Sequence, residues 1–286
     1  MLSPSEIERA EPTGSLAGGA AAAMQRLRVS ANVRLAAQPA GDRTRLAELA
    51  ENHGYRIKFP DGAGFEAVLV NTGGGLLGGD RLDLAIEARE GATMTVTTQA
   101  AEKVYRALGQ ASEVSARLTL GAAARLDWIP QETILFSGAR LARRFDAEMA
   151  ADATLLMAET VVFGRIAHGE TMGAGLFRDR WRIRRAGKLV FADDVALDGP
   201  MADLLDRPAV AGGARALASL LLVGPDAEAR LEGARDLMAA DGVAAGASAW
   251  GGMLVARLMA ADPMRLRMAM ERVLCGLRGA PLPRSW

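Results

Sequence analysis

The sequence is poor in several residue types on which function commonly rests. Its 286 residues include one cysteine, Cys275, and two histidines, His53 and His168. A single cysteine excludes an intrachain disulfide, which suits a reducing compartment. A protein-only zinc site draws on Cys or His at close spacing, and no such spacing occurs. His53 in Asn52-His53-Gly54 and His168 in Ala167-His168-Gly169-Glu170 read as solvated turn residues. Cys275, beside Val273, Leu274 and Leu277, reads as a core thiol. Gly-x-Ser-x-Gly is absent, and so is a convincing Ser-His-Asp order. Aromatic residues make up only 5%, too few for a sugar-binding platform. An excess of charge of one sign is missing as well. The 34 basic and 34 acidic residues cancel, which argues against a basic nucleic-acid coat. Lysine occurs only at Lys58, Lys103 and Lys188, and the remaining basic residues are arginine, read as coding bias. No apolar run reaches the roughly 18 residues of a membrane span. Glu6, Glu8, Arg9 and Glu11 interrupt the first 24 residues, and Leu16 to Met24 is too short and Gly/Ala-rich for a secretory signal. The chain is read as soluble and cytoplasmic, with neither nucleic acid nor membrane as a partner.

Half the residues are apolar, enough for a real core. Residues 1–24, with Pro4, Pro12 and Gly14, read as a disordered tail. Residues 25–200 read as a β-rich body of stacked sheets. Leu82 to Ile86 alternates, and Thr93 to Thr98 places Met94 and Val96 on one face and Thr93, Thr95 and Thr97 on the other. Glu90-Gly91-Ala92 between them reads as a hairpin-type turn. A phrase recurs: Gly91-Ala92 leads to Met94, Val96 and Gln99; Gly121-Ala122 to Leu126, Trp128 and Gln131; Asp152-Ala153 to Leu155, Met157 and Glu159. Its starts lie 30 and 31 positions apart. Repeated turn-then-strand units imply stacked β-layers, although a sandwich fits them too. Residues 201–286 read as a smaller αβ part packed on the body. Leu217 to Val223 and Met253 to Met259 are expected strands. A helix is expected from an Asp226 cap to about Ala240, and another begins at Asp262-Pro263 and ends at Gly279.

The glycine cluster Asn71 to Asp80 lacks the Gly-Lys-Ser/Thr and the helix of a phosphate loop. It either lets backbones approach closely or forms a partner- or ion-facing loop ending in Asp80. Carboxylates remain the only plausible catalytic or metal-handling groups. Glu132 and Glu159 each sit between apolar runs, so each is either solvated or buried with a partner. In Phe177 to Arg184, period two puts Arg178, Arg180, Arg182 and Arg184 on one face and Phe177, Asp179, Trp181 and Ile183 on the other. The arginines form either a solvated face or a ladder that docks an acidic partner. Asp179 needs a hydrogen-bond partner if its face is buried.

Several blocks in order resemble the urease accessory protein family UreD, also called UreH. They are Asn71 to Asp80, Thr97-Thr98-Gln99-Ala100-Ala101-Glu102-Lys103-Val104-Tyr105-Arg106, Trp128 to Glu132, Ile134 to Phe136, Ala158-Glu159 with Phe163-Gly164-Arg165, Arg180-Trp181-Arg182, and the closing Pro283-Arg284-Ser285-Trp286. The resemblance covers about 25 to 286. It implies a mainly β, β-solenoid-like fold with few helices, and a non-enzymatic scaffold. Such a scaffold binds apo-urease, the helical partner UreF and, through it, the GTPase UreG, and together they install nickel in urease. It also implies an internal passage for nickel in transit, with no tightly bound cofactor. By matching blocks, Asp80, Glu132 and Glu159 are candidates for lining that passage. Thr97, Thr98 and Gln99 either supply neutral oxygens along it or reflect strand propensity. The Lys103-Tyr105-Arg106 segment faces a partner or packs. Two other readings stay open: a carboxylate-pair hydrolase using Glu132 and Glu159, and a β-rich interaction module without metal traffic.

Overall fold

The computed structural model describes residues 28–62 and 64–286; the expected tail at 1–24 lies outside them. The chain alternates between two facing sheets. The first holds β1 (Ser30–Ala40), β2 (Arg43–Glu51), β5 (Arg81–Ala88), β8 (Ser112–Leu120), β11 (Arg140–Met149), β13 (Ala174–Arg185) and β14 (Lys188–Pro200), in the order β14-β13-β11-β8-β5-β1-β2. The second runs from β3 (Tyr55–Lys58) through β4 (Phe65–Asn71), β6 (Thr93–Thr98), β9 (Arg125–Trp128) and β12 (Thr154–Phe163) to β15 (Ala216–Val223), β17 (Met253–Ala260) and β16 (Val243–Trp250). Short strands β7 (Glu102–Val104) and β10 (Thr133–Leu135) pair with each other, and β10 also pairs with β12.

From β4 to β13 each turn of chain gives one strand to each sheet, and equivalent strands pair in parallel. This is a short β-solenoid, as the repeat implied. Met94 pairs with Leu126 and Leu126 with Leu155; Val96 pairs with Trp128 and Trp128 with Met157. All six are buried between the sheets. The apolar residues expected at equivalent places in the repeat therefore are equivalent, whereas Glu159, two positions beyond Met157, does not match Gln131, three beyond Trp128.

Two local expectations fail for related reasons. The turn at Glu90–Ala92 joins β5 of the first sheet to β6 of the second, so it is a solenoid corner and no hairpin. In the middle coil the buried corner residue is Ala124, two positions beyond Ala122, and it matches Ala92 and Ala153. Gly121 occupies the tight approach instead: a Cβ there would lie 2.5 Å from the Glu90 nitrogen.

After β14, a short helix α1 (Met201–Asp206) leads to β15–β17, which extend the second sheet by antiparallel pairing. Helices α2 (Leu231–Met238) and α3 (Pro263–Arg278) cover its outer face over a second apolar core. Asp226 caps nothing in α2. A 3-10 turn at Glu228–Arg230 intervenes, and Arg230 holds the cap position without a side-chain bond. The start of α3 is as expected: Asp262 accepts from the Met264 nitrogen at 2.9 Å, Pro263 follows, and Gly279 closes the helix at φ 66°. No helix among the described residues is long and apolar enough to cross a membrane.

The corner at Gly121 makes a prediction. Gly121→Ala forces a Cβ onto backbone that cannot swing aside, so it destabilises the chain by about 1–3 kcal/mol. Urea denaturation of the two proteins measures this, and equal midpoints would refute the close approach.

Candidate functional site

Inward positions of the coils are apolar with one exception, a polar band across the layer between the sheets. In the first sheet, strand register aligns Ala31, Leu82, Val114, Arg143 and Asp179 in one inward row. The first three are apolar and the last two are ionic. Leu141, Arg143 and Phe145 alternate inward on β11, as do Phe177, Asp179 and Trp181 on β13. On β12 of the facing sheet Glu159 points inward between Met157 and Val161.

These strands bring three buried charges together. Arg143 Nη1 donates to Glu159 Oε2 at 2.5 Å and to Thr133 Oγ1 at 3.2 Å, while Nη2 donates to Asp179 Oδ2 at 2.6 Å. Trp128 Nε1 donates to Glu159 Oε1 at 2.7 Å, and Trp181 Nε1 to Asp179 Oδ1 at 3.2 Å. The guanidinium also lies over the rings of Phe145 and Phe177, at 5.7 and 5.4 Å. Asp179 thus has the partner that its buried face requires. One guanidinium faces two carboxylates, so with all three ionised the cluster carries a net negative charge inside the protein. Burial pushes the Glu159 carboxyl above its ordinary range, against the pull of Arg143, and the neighbouring Asp179 adds to the push. Burial opposes the charge on Arg143, but Asp179 and Glu159 outweigh it and hold its pKa up.

Strand register places Glu102 of β7 beside Thr133 of β10, which continues the band toward the glycine loop. Tyr55 Oη donates to Glu102 Oε2 at 3.2 Å. Asn71 Nδ2 donates to Glu102 Oε1 at 2.9 Å and to Tyr55 Oη at 3.0 Å. Burial pushes Glu102 up to about 7; Asn71 and Tyr55 pull it down, and the charge of Asp80 adds to the rise. Burial likewise pushes the Tyr55 hydroxyl well above its ordinary value, with Glu102 adding to the effect. Asp80 is buried at the end of the glycine loop, where Oδ1 accepts from the Val29 nitrogen at 2.9 Å and Oδ2 from the Leu77 nitrogen at 2.8 Å. The loop therefore folds on its own terminal carboxylate, and Gly75 lets Tyr105 and the Lys103 carbonyl approach within 3 Å of where a Cβ would stand.

Asp80 and Glu159 belong to this band. Glu132 stands apart, on the outer face of the second sheet, where Oε2 accepts from Arg267 of α3 at 2.9 Å. Glu132 and Glu159 lie on opposite faces and cannot flank one substrate, so the paired-carboxylate hydrolase reading fails. The surrounding block holds the C-terminus instead. Gln131 Nε2 donates to the Ser285 carbonyl, Trp286 Nε1 donates to the Ile129 carbonyl at 2.8 Å, and Arg267 lies over the Trp286 ring at 5.2 Å. Thr97 is buried, and its hydroxyl has no partner among the described residues. Thr98 Oγ1 accepts from the Gln131 nitrogen at 2.9 Å, and the Gln99 carbonyl accepts from Gln131 Nε2 at 3.0 Å. Thr98 and Gln99 thus hold the Gln131 anchor, and Thr97 does not share in it. Arg178, Arg180, Arg182 and Arg184 share the outer face of the first sheet. Arg182 is engaged by the Trp181 and Asp193 carbonyls and by Asp194 at 3.6 Å. Arg178, Arg180 and Arg184 have no carboxylate partner among the described residues.

Among the described residues, no three of His, Cys, Asp and Glu gather as a metal cage. What the band offers is oxygen: four carboxylates, a phenol, an amide and a threonine hydroxyl. Sequence reasoning missed Arg143, Glu102, Tyr55 and Asn71 as members. The one available signal was arginine at an inward position of an alternating strand.

Two predictions follow from the band's electrostatics. Arg143→Ala leaves two buried carboxylates without their cation and costs about 3–5 kcal/mol of stability in urea denaturation. Glu102, with its pKa raised in the folded chain, binds a proton that the unfolded chain has released. Its contribution to stability is complete below the ordinary carboxylate pKa and is lost as pH rises through about 7. The intact chain therefore loses stability between about pH 5 and about pH 8, and Glu102→Gln loses less; parallel pH profiles would refute the assignment.

Residues 29–286 match the family described as UreD urease accessory protein. The chain is 54% identical over 254 residues to the urease accessory protein UreD of Methylobacterium sp. (strain 4-46), covering 86% of this chain and 90% of that one. It is 50% identical over 279 residues to the urease accessory protein UreD of Xanthobacter autotrophicus, covering 97% and 96%. A third relative, the UreD of Azorhizobium caulinodans, is 46% identical over 268 residues, with 93% and 99% covered. The chain belongs to the UreD family of urease accessory proteins, and its role is that of an accessory factor in urease maturation rather than of an enzyme.

Proposed function

We propose that the chain is a scaffold that binds apo-urease together with UreF and UreG and supports GTP-dependent nickel insertion, with nickel passing through the protein as cargo. The observation that carries this reading is the polar band, which runs from Asp80 and Glu102 to Glu159 and Asp179 through an otherwise apolar layer. A path for a divalent cation needs donors that hold it weakly and exchange readily. Nickel accepts carboxylate and water oxygens as well as imidazole. Oxygen ligands spaced along a band favour transfer, whereas a closed cage of imidazole and thiolate favours storage.

Arg143 sets the terms of passage at the inner end. Both of its carboxylate partners are engaged, so a cation reaching Glu159 competes with a guanidinium already in place. Glu102 sits in a different balance. Its proton is exchangeable near neutral pH, so an arriving cation displaces a proton there rather than an arginine. The unpaired Arg178, Arg180 and Arg184 give the outer face of the first sheet a cationic strip suited to steering an acidic partner.

The test is nickel content and activity of urease in a urease-expressing strain lacking this gene, complemented with the intact chain, Glu102→Gln or Glu159→Gln. Melting of each purified variant is measured alongside. Nickel-poor urease is expected without the chain, full loading with the intact chain, and at least about tenfold less loading with either variant that still folds. Full loading by both folded variants would leave a scaffold without metal traffic. Full loading without the gene would overturn the maturation role.

A further inference from the structure

At the end of the solenoid that carries Asp80, four loops enclose a cleft of about 650 Å³, lined in part by Leu77, Tyr105, Arg106, Phe136, Arg165 and Glu170. Its floor is rigid. The Tyr105 ring meets Phe136 edge-on at 5.0 Å, and the Tyr105 hydroxyl donates to the Gly74 carbonyl at 3.1 Å. Arg165 lies over Phe136 at 4.7 Å and is neutralised by Glu170, to which its Nε donates at 2.9 Å.

Two other arginines of this rim are not neutralised by any described residue. Arg106 has no carboxylate partner among them, and its stem lies on Gly138, where a Cβ would come within 2.8 Å of its Cγ. The Arg28 guanidinium lies on Gly79 and, among the described residues, donates to the neutral Gln110 side chain at 2.6 Å and has no carboxylate partner. The two arginines flank the loop 107–110, whose Leu108 is 81% exposed, the most of any large apolar side chain described. Leu77, on the cleft wall, is 48% exposed. Guanidiniums without a carboxylate partner among the described residues, beside exposed leucines, are the complement of a segment that carries both acidic and apolar side chains.

We propose that this cleft docks an acidic segment of a protein partner, which inserts an aliphatic or aromatic side chain beside Leu77 and Leu108 and sets carboxylates on Arg106 and Arg28. This assigns a role to the Lys103-Tyr105-Arg106 block: Tyr105 packs and Arg106 recognises. The inference rests on the reading of the chain as a factor that works through protein partners.

The experiment measures binding of the full chain to purified apo-urease and, separately, to UreF. The variants are Arg106→Glu and Leu108→Asp, with Lys58→Glu, exposed on β3 of the second sheet, as control. Each cleft variant is expected to weaken one of the two complexes by at least about tenfold, with the Lys58 variant unchanged. The intact complex should also weaken when salt is raised from about 50 to about 300 mM. Both exposed positions tolerate substitution without unfolding, which circular dichroism checks. Wild-type affinity of both folded cleft variants for both partners would overturn the proposal and leave the scaffold role standing. Absence of binding by the intact chain to either protein would overturn the scaffold role itself. Self-association of the intact chain that is abolished by Arg106→Glu, with partner binding unchanged, would give the cleft to a second copy and overturn the proposal as well.

Discussion

Parallel stacking of coils is the constraint on which the rest of the structure depends. Backbone bonds between equivalent strands fix which residues share an inward row, and a row then has to pack as a unit. Met94, Leu126 and Leu155 form one such row, and Val96, Trp128 and Met157 the next. The same rule makes the ionic cluster possible. Arg143 stands in register with Asp179 on one side and Val114 on the other, so the row that is apolar in the early coils becomes charged in the last two. Placing these charges in one row lets neighbouring strands supply partners without disturbing the coil.

Energetically the cluster depends on attraction as well as on satisfied polar atoms, because the buried Arg143 Nε has no hydrogen-bond partner among the described residues. Moving three charges out of water costs several kcal/mol for each, and the ion pairs offset this only when the remaining polar atoms are also bonded. Here both carboxylates receive an indole N–H in addition to the guanidinium. Even so, one positive charge balances two negative ones, and the residual demand falls on Glu159, whose proton affinity rises. A substitution there disturbs the buried cluster itself, so loading of urease and melting of the variant have to be read together.

The coil repeat was legible in the sequence because small residues at the corners and apolar residues at alternate positions recur every 30 or so residues. Helix α3 was legible for a similar reason, since Asp262, Pro263 and Gly279 each act within a few residues of their own position. Features set by distant partners were not. A Gly-Ala turn looks alike whether it closes a hairpin or turns a solenoid corner, and only the sheet assignment of the next strand decides. Arg143 meets Glu159 and Asp179 across 16 and 36 residues of chain, so the alternation of its own strand could mark it as inward but could not name its partners. Glu132 and Glu159 looked equivalent as charges between apolar runs. One faces the C-terminal helix and the other the interior, because strand alternation places Glu132 opposite the inward Thr133.

The faces of the molecule are therefore unequal in what they allow. Helices α2 and α3 and the terminal Trp286 close the outer face of the second sheet, with Arg278 and Arg267 bonded down onto Asp127 and Glu132. The outer face of the first sheet is a solvated field of charges, several already paired with each other. The band is reached from neither face, because intact sheets separate it from both. Its approach lies through loops at a coil end. Asp80 binds the backbone of Leu77, and Leu77 forms part of the wall of the cleft that holds Arg106. Leu77, three positions before Asp80, thus borders both the polar interior and the rim. A partner seated on that rim would rest directly on the loop whose fold depends on the Asp80 carboxylate.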